Sequence, residues 1–280
     1  MSLEFFGHSD PGHKRESNED DFLCVDLSRE IETLKASVYL LLVADGVGGH
    51  QGGDQASSLA SETLRTFLRA RLSKPAASLD WPNLLEEACL EANTRIFARA
   101  AQDSALNGMG STLVAALVVG NLAFLVNVGD SRAYLVRRKE IRQLSQDHSW
   151  AEEQRRMRSL SEEEINQSPF KHMITRSLGY EASVKVDSFR ISLGEDEYLL
   201  LCTDGLYGIL TDREMWKVFK KQKEVERICR RLIQEADQAG SKDNITAVVA
   251  RYREKGKTPQ KTPSQTIILK PSRDKGGEDR

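Results

Sequence analysis

The sequence predicts an α+β fold on three observations. Short apolar runs of strand length recur along the chain, residues 112–144 alternate strands with tight turns as an antiparallel meander does, and two pairs of amphipathic helical segments stand apart from those strands. With 280 residues, 39% hydrophobic and 29% charged, the chain fits one domain over residues 1–252 and a tail over 253–280. A formal net charge of -2 gives no reason to expect a nucleic-acid partner.

A first strand over residues 4–9 ends at the turn signal Asp10-Pro11-Gly12. The charged run Arg15-Glu16-Ser17-Asn18-Glu19-Asp20-Asp21 then leads into a strand at 22–26. It sets a guanidinium that can fork onto phosphate beside carboxylates that can hold cations. Residues 28–37 are polar and predict a loop.

The next stretch, Tyr39-Leu40-Leu41-Leu42-Val43-Ala44-Asp45-Gly46-Val47-Gly48-Gly49-His50, is a buried-strand run that stops on a carboxylate and a glycine loop. Its phrase returns as Tyr198-Leu199-Leu200-Leu201-Cys202-Thr203-Asp204-Gly205. One Asp-Gly pair alone reads as a turn. Two of them, each at the mouth of a copied apolar strand, invite a cation between short, rigid oxygen ligands.

Asp54 is the expected N-cap of a helix reaching about Leu72, with Ala56, Leu59, Ala60, Thr63, Leu64 and Phe67 at helical spacing. A second helix starts near Asp80-Trp81-Pro82 and carries Leu85, Cys89, Ala92, Ile96 and Ala100 on one face. The meander follows over 112–119, 122–128, 131–136 and 141–144, with Gly120-Asn121 as a two-residue hairpin and Asn127-Val128-Gly129-Asp130-Ser131-Arg132 as its second corner. Residues 145–180 break the strand rhythm. Ser161 and Glu164 predict a capping box, and a shortage of large apolar residues predicts a mobile surface flap.

Strands resume at 187–191 and 197–203, helices are expected at 212–220 and 224–239, and Asp243 stands at the entrance of a closing strand over 245–252. Entrances and exits share one edge of an antiparallel sheet, so Asp45, Asp204 and Asp243 can meet. From Arg253 the Lys, Pro, Ser, Thr and Gly content predicts disorder. Thr258, Thr262 and Thr266 there are candidate phosphorylation sites, and Thr266-Ile267-Ile268-Leu269 is a candidate docking peptide.

Cys24, Cys89, Cys202 and Cys229 are scattered without Cys-x-x-Cys spacing, which predicts buried, reduced thiols. The N-terminus carries no signal-peptide pattern and no run approaches the ~20 apolar residues of a spanning helix. The expectation is a soluble, cytoplasmic protein without a membrane partner.

Seven motifs stand in order along the chain: Arg15-x-x-Asn18-Glu19-Asp20, Ala44-Asp45-Gly46-x-Gly48-Gly49-His50, Gly110-Ser111-Thr112, Asn127-x-Gly129-Asp130-Ser131-Arg132, Asp147-His148-Ser149, Thr203-Asp204-Gly205 and Asp243-Asn244-Ile245-Thr246. Over residues 4–252 this series resembles the metal-dependent protein phosphatases of the 2C type, in particular the compact bacterial serine/threonine phosphatases. The resemblance implies two packed antiparallel sheets flanked by antiparallel helix pairs, with the active site at one end of the sandwich. It implies that Asp45 bridges two Mg2+ or Mn2+ ions with help from the Gly46 carbonyl, that Asp204 and Asp243 complete the pair, and that Asp20, with Glu19 nearby, holds metal-bound waters. It further implies a third, weaker ion at Asp130 and Asp204, and Arg15 as the phosphate grip.

An oxygen-only ligand set suits Mg2+ or Mn2+ better than zinc, and two such ions can arm a bridging water for in-line attack on phosphorus. The implied substrates are phosphorylated proteins, and the implied partner is a cognate serine/threonine kinase, met by a monomer. One departure stands out: some relatives carry His where this chain has Val47, so the general acid is unassigned and a metal-bound water is the expected donor. His50 and His148 are read as structural, with His148 anchoring the flap.

Two other readings compete. A nucleotide cradle fails on spacing, because Gln51 falls where the third glycine of Gly-x-Gly-x-x-Gly belongs and no Gly-Lys-Ser/Thr occurs. A catalytically silent binding relative on the same fold would show eroded ligands, whereas Asp20, Asp45, Asp130, Asp204 and Asp243 are all present.

Overall fold

A computed structural model describes residues 2–31, 34, 36–48, 52–74 and 79–253. His50, Thr258, Thr262, Thr266 and the rest of residues 254–280 lie outside the described residues.

In chain order the elements are β1 (Ser2–Asp10), β2 (Asp20–Asp26), the four-residue α1 (Leu27–Glu30), β3 (Val38–Val47), α2 (Gly53–Leu72) and α3 (Trp81–Gln102). Next come β4 (Gly110–Ser111), β5 (Leu113–Val119), β6 (Leu122–Val128), β7 (Arg132–Val136), β8 (Ile141–Gln143), α4 (Trp150–Met157) and α5 (Glu162–Gln167). The chain closes with β9 (Asp187–Ser192), β10 (Tyr198–Cys202), α6 (Asp204–Tyr207), α7 (Asp212–Lys221), α8 (Val225–Gln238) and β11 (Ile245–Arg253).

The strands form two antiparallel sheets, one ordered β1-β11-β10-β7-β8 and the other β2-β3-β5-β6-β9 with β4 paired to β3. Residue alternation along β3 shows why they stack. Leu40, Leu42 and Ala44 join Ala60, Leu64, Leu85 and Cys89 in a core under α2 and α3, while Tyr39, Leu41 and Val43 join Leu199, Leu201 and Val248 between the sheets. On the far side, Leu200 and Val249 pack beneath Met215 and Val218 of α7 and Ile228 and Leu232 of α8. The four layers are helix, sheet, sheet, helix, as the resemblance implied. All four cysteines are buried free thiols. No helix among the described residues is long and apolar enough to cross a membrane.

Local chemistry sets most element ends. Asp80 caps α3 by accepting from the Asn83 N–H at 3.3 Å, and Ser161 with Glu164 closes the expected capping box on α5. Asp54 is not the cap of α2. Gly52 occupies that position without a side-chain bond, and Asp54 lies in the first turn, where its charge favours the positive end of the helix. The reason is steric: a Cβ on Gly46 would stand 2.1 Å from the Gly53 carbonyl oxygen, so this helix start is docked directly on the end of β3. Within the loop expected over residues 28–37, residues 28–30 differ, since Leu27–Glu30 form one helical turn capped by Asp26. The insert over 145–180 carries α4 and α5 and leaves Met157, Phe170, Met173 and Tyr180 exposed.

Candidate functional site

Strand register brings the acidic residues to one end of the sandwich. Asp20 on β2 lies directly opposite Asp45 on β3, Asp204 opens α6 two residues after β10, and Asp243 stands two residues before β11. Because β10 and β11 are antiparallel neighbours, with Cys202 opposite Ala247, the exit of one and the entrance of the other coincide. Asp130 sits where the chain passes from β6 in one sheet to β7 in the other.

Hydroxyls and backbone groups hold these residues in place. Asp20 Oδ2 accepts from Thr203 Oγ1 at 2.9 Å and Thr246 Oγ1 at 2.6 Å. Thr203 is the N-cap residue of α6, yet its hydroxyl serves Asp20 instead of the helix. The Asp45 N–H donates to Thr112 Oγ1 at 3.0 Å, and the Asp45 carbonyl accepts from the Thr112 N–H at 2.8 Å. Gly46 N–H donates to the Glu19 carbonyl at 3.1 Å, which also receives Ser57 Oγ at 2.6 Å. The Glu19 carboxylate lies against Gly53 at the start of α2. Asn244 joins three segments: its Oδ1 accepts from Glu19 N–H at 2.8 Å, and its Nδ2 donates to the Pro11 and Ser17 carbonyls at 3.0 and 2.9 Å.

The electrostatics identify a single cluster. Burial pushes the Asp20 carboxyl up to about 7, against the two hydroxyl bonds that lower it, with Asp204 and Asp243 adding repulsion. Asp45 is held well above the usual carboxylate range by burial and then by Asp20, Asp204, Asp130 and Asp243. Asp130 rises to about 7 through burial, Asp204 and Asp147. Asp204 also rises, through burial and Asp243, with His172 of the insert and Arg15 opposing. Its Oδ1 is buried without a hydrogen-bond partner.

Mutual repulsion, an orphaned carboxylate oxygen and an oxygen-only donor set together fit divalent cations. Among the described residues no three His, Cys, Asp or Glu side chains already close on one point, so an ion here would draw further oxygens from backbone and water. At the rim, Arg15 Nη2 donates to Asp243 Oδ2 at 2.7 Å, and this bond raises the guanidinium pKa. Val47 ends β3 as an apolar side chain.

Tyr207, Arg132 and Asp147, which carried no expected task, brace the corner at Asp130. Tyr207 OH donates to the Asp130 carbonyl at 2.9 Å. Arg132 lies 3.6 Å from the Tyr207 ring centroid and grips both oxygens of Asp147 at 2.6–3.0 Å. His148 is the expected anchor of the insert. It is buried, its Nδ1 accepts from Gly129 N–H at 3.0 Å, and its Nε2 faces Asp187 at 3.2 Å. Thr203 and Thr246 stood inside quoted motifs, but only the stacking of one sheet on the other, which sets both hydroxyls against Asp20, reveals their task.

The chain matches the family described as Protein phosphatase 2C over residues 7–245. It is 34% identical over 249 residues to the serine/threonine phosphatase stp of Listeria monocytogenes, covering 89% of this chain and 95% of that one. The crystal structure of the serine/threonine phosphatase Stp1 from Staphylococcus aureus superposes with a TM-score of 0.79 at 30% identity, covering 91% of this chain and 96% of that one. The catalytic domain of the serine threonine protein phosphatase PstP, in complex with 2 manganese ions, superposes with a TM-score of 0.73 at 31% identity, covering 90% of this chain and 99% of that one. With its two sheets, its flanking helices and its acidic end, the chain belongs to the protein phosphatase 2C family.

Proposed function

We propose that residues 1–252 hydrolyse phosphoserine and phosphothreonine monoesters on proteins with a pair of Mn2+ or Mg2+ ions held by Asp45, the Gly46 carbonyl, Asp204 and Asp243. Asp20, backed by Glu19, orders water around the pair, and Asp130 with Asp204 receives a third, weaker ion. The observation that carries this reading is the cluster itself. Burial first, and then the charges of neighbouring carboxylates, raise the pKa values of Asp20, Asp45, Asp130 and Asp204, and the buried Oδ1 of Asp204 lacks a partner. When bound, such ions acidify water and neutralise charge that builds on phosphoryl oxygens.

The chain's own groups do the rest. Arg15 has donors beyond the one committed to Asp243, and a guanidinium fork matches a phosphate. Thr203 and Thr246 present protons to Asp20, which keeps that side chain an acceptor. Thr112 fixes the backbone on both sides of the Asp45 peptide, so the carboxylate is aimed before any ion arrives. Val47 cannot supply a proton, and the imidazole of His148 is committed to Gly129 and Asp187, so the leaving-group proton falls to water. On this reading the protein acts as a cytoplasmic monomer, reversing a serine/threonine kinase.

The test is Mn2+-dependent hydrolysis of para-nitrophenyl phosphate and of a phosphothreonine peptide. Turnover should vanish with chelator and return with metal, whereas a binding-only relative gives none at any Mn2+ concentration.

A further inference from the structure

We propose that Ser9 is a positioning residue for the metal centre, the keystone of a closed ring of hydrogen bonds that starts and ends on Asp20; this rests on the metal-centre reading above. The ring has four links. Asp20 N–H donates to Asn18 Oδ1 at 3.1 Å, and Asn18 Nδ2 donates to Ser9 Oγ at 2.7 Å. Ser9 Oγ meets Thr246 Oγ1 at 2.6 Å, and Thr246 Oγ1 meets Asp20 Oδ2 at 2.6 Å.

Proton counting gives the ring one direction. An amide nitrogen only donates, so Ser9 Oγ accepts from Asn18; with metal bound Asp20 is ionised and only accepts, so Thr246 spends its single proton on it. The bond between the two hydroxyls must then be donated by Ser9. Thr246 N–H donates to Thr203 Oγ1 at 3.1 Å, and that hydroxyl in turn donates to the same Asp20 oxygen. Every donor therefore points the same way around the circuit, the arrangement in which successive bonds polarise and strengthen one another.

The consequence concerns one oxygen. Two hydroxyls occupy Oδ2 of Asp20 and the ring ties the same residue's backbone, which restrains the rotation of the carboxylate and leaves Oδ1 as the oxygen those hydroxyls do not engage, the one that would order water around bound ions. Ser9 lies on β1, opposite Thr246 on β11. Its hydroxyl joins the Asn18 amide directly to Thr246. Without it Asn18 Nδ2 loses its partner, and Thr246 Oγ1 loses the donor that orients its own proton. Direct partners of metal ligands commonly govern affinity about ten- to a hundred-fold, and Ser9, which acts on Asp20 through Thr246, belongs at the low end of that range.

The experiment compares wild type, Ser9→Ala, Ser9→Val, Ser9→Thr and Asp45→Asn. Chelator-treated protein is titrated with Mn2+ and the free ion is followed by electron paramagnetic resonance, with circular dichroism checking the fold. Ser9→Ala and Ser9→Val should weaken Mn2+ binding about ten-fold. They should also lower kcat at saturating metal without raising KM. Ser9→Thr keeps the hydroxyl and should bind as wild type does. Wild-type affinity in a folded Ser9→Ala or Ser9→Val protein, with Asp45→Asn impaired, overturns the role given to Ser9 alone. Loss in a folded Ser9→Thr protein equal to that in Ser9→Val overturns it as well, because shape and not the hydroxyl would then matter. If Asp45→Asn binds Mn2+ as tightly as wild type, the metal-centre reading falls and takes the proposal with it.

Discussion

Asp20 and Asp45 stand opposite each other as register partners on two adjacent strands, so two carboxylates share one face at the mouth of a sheet. Like charges placed this way destabilise a sheet pair. Asp204 and Asp243 add to the same repulsion from the second sheet. The arrangement opposes folding until a cation arrives, and its energetics can be read in variants.

Removing one charge should stabilise the metal-free protein. Asp45→Asn is expected to raise stability in chelator by about 1 kcal/mol, the scale of a like-charge pair across strands. It should also abolish the upward shift of the melting temperature that Mn2+ gives the wild type, together with turnover. Thermal melts with chelator and with Mn2+ decide this, and a melting temperature below wild type in chelator would contradict it.

The pH dependence has a defined sign. Asp20 and Asp130 are raised from 3.8 to about 7 in the folded state. Between those values the folded protein retains protons that the unfolded chain has released. The contribution of these two carboxyls to metal-free stability is therefore greatest below the unfolded pKa and is lost as pH rises from about 4 through about 7. Metal must displace those protons, so calorimetry in buffers of different ionisation enthalpy should record more proton release at about pH 6 than at about pH 8. Equal release at both would count against the raised carboxyls.

Arg15→Ala should act on substrate rather than on metal. Losing a charge-assisted bond of about 1.5–3 kcal/mol predicts a fall in kcat/KM of roughly ten- to a hundred-fold on a phosphopeptide. Since Arg15 also occupies Asp243 Oδ2, Mn2+ affinity should hold or tighten. Steady-state kinetics beside an Mn2+ titration separates the two effects. Weakened metal binding would argue instead that Arg15 organises the acidic residues.

Gly205→Ala tests the contact between the two halves of the second sheet's edge. A Cβ there would stand 2.0 Å from the Asn244 carbonyl oxygen, too close for any side chain. Displacing Asn244 disturbs its bonds to Pro11, Ser17 and Glu19. The expected cost is about 2 kcal/mol or more, seen as a lower denaturant midpoint with an unchanged slope. An unchanged midpoint would mean the loop yields freely.

Much of this was legible before any coordinates. The apolar run at 39–44 alternates between two cores, as a strand buried on both faces must. Asp80, Ser161 and the Gly120-Asn121 turn act where their chemistry said they would. Such signals are local, since a cap or a tight hairpin is written within a few residues. Asp54 failed as a cap because the helix start is set by contact between Gly46 and Gly53, a tertiary constraint that overrides side-chain preference. The hydroxyls around Asp20 were hidden for a similar reason. Thr203 and Thr246 lie 183 and 226 positions from it in sequence and are carried by the other sheet, and only the stacking of the two sheets tells which threonine faces which carboxylate.

The passage of the chain through Asp130, from β6 in one layer to β7 in the other, means that the acidic end straddles a seam. Asp20 and Asp45 are carried by one slab, Asp204 and Asp243 by its neighbour, and the side chains of Leu41, Leu125, Leu199 and Val248 between them set the spacing. Interiors packed at crystal density transmit small displacements instead of absorbing them. Trimming a methyl group deep in that middle layer should thus knock the two half-sites out of alignment and slow the chemistry while both slabs are still folded.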